Sequence, residues 1–506
     1  MGLDGVESLA MSPDGAHVYA AGSQADALAA FSRNPSTGAL TFIEVHVDGI
    51  DGVDGLDRVR AVTVSPDGAH VYAAGYEDNA VVMFSRDAAT GMLTFGQVLL
   101  NGMGGITSLH GAHGVTVSPD GKNVYVAGNR ADSVTVFSRN ATTGMLELVE
   151  AQVLGVGGIT SLDGAETIAV SPDGAHVYVA AEDDNTVTVF SRDAETGALT
   201  LVEVKQQGVG GITGLSKVQG VTVSPDGANV YTAAGESNAV VVFNRDAATG
   251  MLTFVEKQKD GQGGVTGLSG AEWVTVSPNG AFVYAVADLD KALTVFSRDA
   301  ATGKLTFVEK HKDGVGGVDG IQDAESVVVS PEGAHLYVAG DTDDAIGAFG
   351  NLCGNGTLGA GEQCDDGNLV DGDCCSSVCS FEVAGGSCGD DGNICTDDQC
   401  DGAGACLHIN NSDPCDDGAF CTVGDTCQGG VCQGAARDCS AAGDQCIDNH
   451  DIARRYHQSG GGGSGRDGDV EIFIVTFSVH LRNHKTAYSR NRGDRRTGKS
   501  TEQHTG

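Results

Sequence analysis

One four-residue pattern, Ser-Pro-(Asp/Glu/Asn)-Gly, occurs seven times in this chain, beginning at Ser12, Ser65, Ser118, Ser171, Ser224, Ser277 and Ser330. Each serine stands 53 residues after the last, with no insertion or deletion. A constant period of about 50 residues marks a repeat architecture, in which one supersecondary unit recurs and buries its apolar faces against its neighbours. The fourth copy shows what the unit is. Thr167–Ser171 is a short β-branched run, and Pro172-Asp173-Gly174 is a turn with proline preset at its first corner. His176–Ala180 and Thr186–Phe190 alternate apolar with small or polar residues, Asp193–Gly197 is a second turn, and Leu199–Glu203 is a fourth run. Short period-two runs bounded by Gly, Pro, Asp or Asn read as strands and hairpins. Four antiparallel strands repeated seven times predict an all-β, seven-bladed β-propeller. Solenoids, the rival architecture, use shorter or helical repeats.

Thr-Gly followed by a fourth strand occurs only six times, at Gly38, Gly91, Gly144, Gly197, Gly250 and Gly303. After the third strand of the seventh repeat (Ala345–Phe349) the chain runs into Gly350-Asn-Leu-Cys353. The seventh blade is therefore expected to lack its outer strand, or to borrow one from sequence upstream of Met1. Met1-Gly-Leu-Asp-Gly has neither a basic start nor an apolar stretch, so no export signal is read there, and a truncated N-terminus is expected.

Three regions follow from composition: the propeller at 1–350, a cysteine-rich segment at 351–450, and a basic tail at 451–506 expected to be disordered. All fifteen cysteines lie between Cys353 and Cys446. Dense cysteine in a small glycine-rich segment predicts disulfide staples and an oxidising, extracellular or cell-surface location. Zinc is disfavoured because the adjacent Cys374 and Cys375 and the irregular spacings do not form paired ligand sets. Fifteen is odd, so one thiol lacks an internal partner, with Cys446 the first suspect. Asp-Asp-Gly turns such as Asp365-Asp366-Gly367 could bind calcium or be solvated acidic turns. The tail holds ten Lys or Arg against six Asp or Glu, and reads as sequence unrelated to the module before it. Its Val470–Leu481 is strand-like. A formal charge of −39 argues against nucleic acid, which needs clustered Lys and Arg. No apolar run is long enough to span a membrane. A monomer is expected.

Function must lie where the repeats differ. Five residues before each serine stand Glu7, Arg60, His113, Glu166, Gln219, Glu272 and Glu325. Equivalent positions in seven blades converge on one axis, so these side chains are expected to form a polar ring at the mouth of the central channel, with Trp273 beside Glu272. His113 and Glu166 belong to adjacent blades, so one could take a proton from water while Arg60 steadies the developing charge. Glu7, Gln219, Glu272, Trp273 and Glu325 would then bind the ligand. A wet channel mouth needs no catalytic reason for a polar ring. Four glutamates around an axis could also hold calcium, although no cofactor is required and no residue is assigned as a metal ligand. His17, His70, His176 and His335 recur after the turn on the opposite face and are read as structural. No serine nucleophile with a His and Asp partner, and no phosphate-binding glycine loop, can be assembled.

The repeats, with Val-Thr-Val-Ser-Pro-Asp-Gly-Ala-His-Val-Tyr-Ala at 62–73 and Phe-Ser-Arg-Asp-Ala-Ala-Thr-Gly-Lys-Leu-Thr-Phe at 296–307, resemble the seven-bladed lactonase-type propeller family, which includes 6-phosphogluconolactonases. The resemblance covers about 1–350 and implies the fold; the reaction it implies is lactone opening. The Cys353–Cys379 segment resembles a cysteine-rich repeat of bacterial extracellular proteins, departing from it at Cys374, where glycine is usual. Cys395–Cys400 and Cys427–Cys432 resemble companion modules of surface proteins. Two functions stay open: a secreted binding or scaffold propeller for a small or carbohydrate-like ligand or another surface protein, and a hydrolase of sugar lactones or related cyclic acids.

Overall fold

The computed structural model describes residues 2–350, 363–365, 371–376, 380–416, 418 and 422–436. Six four-stranded antiparallel sheets and one three-stranded sheet follow one another along 2–350, each sheet ordered as the chain runs. Blade one is Val6–Met11, His17–Gly22, Ala27–Arg33 and Leu40–Val47. The second strand of every blade is buried along its whole length, as in His17–Gly22 and Asn123–Gly128. The outer strands alternate between half-buried and exposed, as in Leu93–Leu100. Side chains from adjacent blades fill the wedges between sheets. One wedge joins Ala10, Tyr19 and Leu28 of blade one to Leu56, Val62 and Phe84 of blade two. Alanine and valine suffice because inner strands of neighbouring blades lie close together.

The Ser-Pro-Asp-Gly turns join first to second strands, so they lie at the end of each blade opposite the turns joining second to third strands. The first strand of every blade carries a β-bulge near its start. In blade one Val6 pairs with Gly22 and Ser8 with Ala21, leaving Glu7 without a cross-strand partner. The same skip falls at Arg60, Glu166, Gln219, Glu272 and Glu325, and at His113-Gly114 in blade three. A bulge re-aims the unpaired residue and sharpens the local twist. Here it turns the variable position toward the axis.

A polar lock recurs between blades. At the end of the third strand of blade two, Arg86 reaches back to blade one, where its Nε donates to the Tyr19 hydroxyl at 2.9 Å and its Nη2 to Asp14 Oδ2 at 2.8 Å. Arg86 Nη2 also meets His17 Nδ1 at 2.7 Å, and Tyr19 donates in turn to the Gly91 carbonyl at 3.0 Å. Arg139 and Arg245 repeat this on the preceding blade, Arg192 and Arg298 do so with Asn123 and Asn229 in place of the histidine, and Arg33 repeats it across the ring closure on Tyr337, Glu332 and His335. His17 is held below its usual range by burial and by the Arg86 charge, as a ring nitrogen accepting from a guanidinium requires. Burial alone would raise Asp14, but bonds from Ser12 and Arg86 bring it down to about 2. The structural reading of these histidines therefore acquires a mechanism.

One seam departs. Between blades six and seven the aspartate position is Asn279, the histidine position is Phe282, and the arginine position is Asn351 in the sequence. Tyr284, the tyrosine of that seam, has no hydroxyl bond among the described residues, and packs with Phe282 instead.

Among the described residues the seventh sheet has three strands, as the count of Thr-Gly units predicts. Blade one meets it through packing of Val6, Leu9 and Val18 on Tyr337 and Ala339, and Asp344 accepts from the Gly5 amide at 2.9 Å. Val470–Leu481, the segment considered for the open edge, lies outside the described residues.

In the cysteine-rich region the disulfides are Cys364–Cys375, Cys374–Cys400, Cys388–Cys406, Cys395–Cys427 and Cys415–Cys432. Every described cysteine is thereby paired; Cys446 lies outside the described residues. Thr396–Cys400 pairs antiparallel with Cys406–Asn410. Cys374, where the resembling repeats carry glycine, has φ of 85°. Glycine occupies such a backbone without strain; here cysteine does so while bonded to Cys400.

Candidate active site

All seven ring positions line one cavity of about 360 Å³ at the axis, together with Trp273 and Thr167. That volume suits a small ligand. The ring expected from the repeat spacing is therefore assembled, with Arg60, His113 and Glu166 on consecutive blades.

The geometry within it is uneven. Arg60 Nη1 donates to Glu7 Oε2 at 2.8 Å, so this pair is already closed. Arg60 Nε is buried and bonded to nothing among the described residues. His113 Nε2 stands 3.9 Å from Glu166 Oε1, beyond direct hydrogen bonding. Burial, and then the Arg60 charge, push His113 down to about 3, so it is a neutral imidazole. Burial is also the leading cause that raises Glu166 well above the usual carboxyl range, followed by repulsion from Glu182 and Glu272. Glu272 is pushed up to about 8 by burial and by Asp288 and Glu182, and Glu325 is raised by burial, Glu272 and Glu7. Glu7 is raised too, burial outweighing its arginine. Carboxyls gathered in a partly dry channel hold their protons.

A second ring was not anticipated. It lies 16 residues after the first, in the turn between second and third strands: Ser23, Tyr76, Asn129, Glu182, Gly235, Asp288 and Asp341. The Tyr76 ring carries Arg60 at 5.2 Å and Arg130 at 4.3 Å from its centroid, and stands nearly at right angles to the His113 ring at 5.9 Å. Its hydroxyl donates to Asn129 Oδ1 at 3.2 Å. Arg130 is bidentate to Glu77 at 2.8 and 2.9 Å. Gly235 leaves room for Gln219, whose Oε1 would lie 2.7 Å from any Cβ added there. The signal for this ring was present in the sequence, since the same interval that exposes the first variable position exposes this one.

The lactonase seven-bladed β-propeller family model matches the chain in overlapping segments, 5–105, 60–213, 159–311 and 261–364. The chain belongs to the lactonase family of seven-bladed β-propellers. Among relatives of this lactonase-family chain, a 6-phosphogluconolactonase of Pectobacterium carotovorum is 26% identical over 239 residues, 46% of this chain and 65% of that protein. A 6-phosphogluconolactonase of Formosa agariphila is 33% identical over 87 residues, 17% of this chain and 23% of the relative. The chain thus spans from 23% to 65% of the length of these curated relatives. In structure it is similar to the periplasmic gluconolactonase of Pseudomonas aeruginosa, with TM-score 0.50 and 22% identity over 61% of this chain and 85% of that one. It is also similar to a hydrazine synthase chain of Kuenenia stuttgartiensis, with TM-score 0.51 and 18% identity over 69% and 97%. At these identities the two structures bear on fold alone.

Proposed function

We propose that the channel mouth hydrolyses a lactone, with Glu166 as general base, His113 as a neutral hydrogen-bonding partner, and Arg60 facing the developing oxyanion. The observation that carries this is the placing of Arg60, His113 and Glu166 side by side on one cavity wall, with Glu166 raised by its surroundings. A carboxylate whose proton affinity is raised toward the working pH is the better base. A histidine held near 3 is a poor one, so the base role passes to Glu166, and His113 is left to orient the water. Water attacks the ring carbonyl as Glu166 takes its proton. The tetrahedral oxyanion is met by the Arg60 guanidinium, whose Nε has no other partner. Collapse breaks the ring C–O bond, and Glu166 returns the proton to the alkoxide that leaves. Glu7 fixes Arg60 from behind, while Gln219, Glu272, Glu325 and Trp273 face the ligand.

Family membership and the names of the relatives support lactone hydrolysis over the binding-scaffold reading. The route needs no metal ion, so dialysis against EDTA is expected to leave the rate unchanged, and a loss of rate restored by calcium would bring back the metal alternative. The disulfides suit an oxidising compartment, and an extracellular or surface location is proposed on that ground. The deciding experiment is a pH-stat screen of five- and six-membered sugar lactones with the full chain and with Glu166→Gln. Hydrolysis lost in the variant supports the assignment; hydrolysis retained in it places the chemistry elsewhere.

A further inference from the structure

We propose that this site takes an uncharged sugar lactone and excludes its phosphorylated counterpart, because both arginines beside the cavity mouth, Arg60 and Arg130, are already matched to carboxylates while other carboxyls there have no ion-pair partner. The proposal rests on the lactonase reading and adds the substrate class. Arg60 is closed on Glu7 at 2.8 Å. Arg130 is closed on Glu77 at 2.8 Å, and Arg58 lies 3.8 Å from the same carboxylate. Lys217 is held by Asp183 at 2.5 Å and Glu182 at 3.4 Å. Against these, Glu272, Glu325, Asp288 and Asp341 have no ion-pair partner among the described residues.

A phosphate dianion is recognised by unpaired guanidinium or ammonium groups or by a nest of backbone N–H groups. Here a 6-phosphate would have to open the Arg60–Glu7 pair or the bidentate Arg130–Glu77 pair to reach a guanidinium. That carboxyls of this mouth hold their protons above the usual range reports the same shortage of cations. What the wall does offer is suited to a polyol. Carboxyl and carboxamide oxygens of Glu272, Glu325 and Gln219 accept from hydroxyls, and Trp273 adds an aromatic surface beside them. The free Nε of Arg60 suits a single developing oxyanion, not a group needing several donors. The curated relatives named above carry the phosphorylated lactone in their names, and the Pseudomonas aeruginosa protein the unphosphorylated one.

Trp273 is the chain's single tryptophan and lines the cavity, so its fluorescence reports binding without turnover. The test compares D-glucono-1,5-lactone with its 6-phosphate for hydrolysis, and gluconolactam with its 6-phosphate for Trp273 quenching, all at low ionic strength where charges are least screened. A phosphate with no free cation to meet it is disfavoured at such a surface, so kcat/KM for the uncharged lactone should exceed that for the phosphate by about 100-fold or more. Glu325→Lys, which places a cation at the rim, should narrow that ratio by about tenfold. Equal or greater activity on the phosphate, or a ratio unmoved in the lysine variant, overturns the proposal. If neither lactone is opened, the hydrolase reading fails, and the lactams still decide. Tighter quenching by the uncharged lactam sustains the charge argument; tighter quenching by the phosphate, or none by either, defeats it.

Discussion

The interblade lock predicts a pair of substitutions with unlike outcomes at equivalent positions. Tyr72 and Tyr284 are both buried, stand on the second strands of blades two and six, and are related by the repeat. Tyr72 accepts from Arg139 Nε at 2.9 Å and donates to the Gly144 carbonyl at 2.8 Å. Tyr72→Phe deletes both bonds and leaves a buried guanidinium N–H with nothing to meet. Hydrogen bonds to charged groups contribute about 1.5–3 kcal/mol, and an orphaned buried donor adds to the loss, so the cost should be about 2–3 kcal/mol. Tyr284 has no such partners among the described residues, so Tyr284→Phe removes a hydroxyl whose burial gains little; the expected change is about zero or slightly stabilising. Urea unfolding followed by far-ultraviolet circular dichroism measures both, the midpoint shift multiplied by a common m-value giving each cost. Equal costs would refute the lock as the source of the difference, and a costly Tyr284→Phe would show that the sixth seam is held by a bond of its own.

Other outcomes follow from the same structure. Glu166→Gln and His113→Ala should each lower lactone hydrolysis, the first by about 10²–10⁴-fold as for loss of a general base, with unchanged circular dichroism. The rate should rise with pH as Glu166 ionises, reaching its plateau well above the usual carboxyl range; a plateau already present at pH 4.5 would exclude it as base. Glu272, raised from 4.5 to about 8, binds its proton more tightly in the folded than in the unfolded chain. Its contribution to stability is thus present below 4.5 and lost as pH climbs to 8, so Glu272→Gln should gain in Tm over the parent at pH 9 and not at pH 4, which thermal melts at the two pH values check. Reduction with dithiothreitol should loosen 364–432 while leaving the propeller melt in place, since 1–350 contains no cysteine; a lowered propeller melt would show the two regions to be energetically linked.

Blade number, strand order and the seven-membered ring were legible because the 53-residue interval converts sequence position into position around an axis. Even the three strands of blade seven among the described residues could be counted from the six Thr-Gly units. The bulge at Glu7 and its equivalents was not, because a bulge is a register between strands, and alternation within one strand does not reveal it. Nor was the charge state of His113, which depends on burial against Arg60. The departures at Asn279, Phe282 and Asn351 were in plain view, but only the contact of Arg86 with Asp14 and His17 shows that these three positions form one unit. Disulfide pairing was beyond reach, since spacing does not say that Cys374 turns away from its neighbour Cys375 to join Cys400.

Because the ring residue of each blade stands outside the strand ladder, the fold places almost no demand on its identity. Glutamate, arginine, histidine and glutamine all occupy that place on nearly identical backbones. Exchange of one for another leaves the pairs on either side, Val6 with Gly22 and Ser8 with Ala21 in blade one, as they are. A lineage can therefore copy a blade whole and afterwards change what it presents to the channel by a single codon, without first evolving tolerance for the change. The same holds at the bench: the seven positions form a library that can be randomised together, with soluble yield expected to stay flat while ligand preference moves.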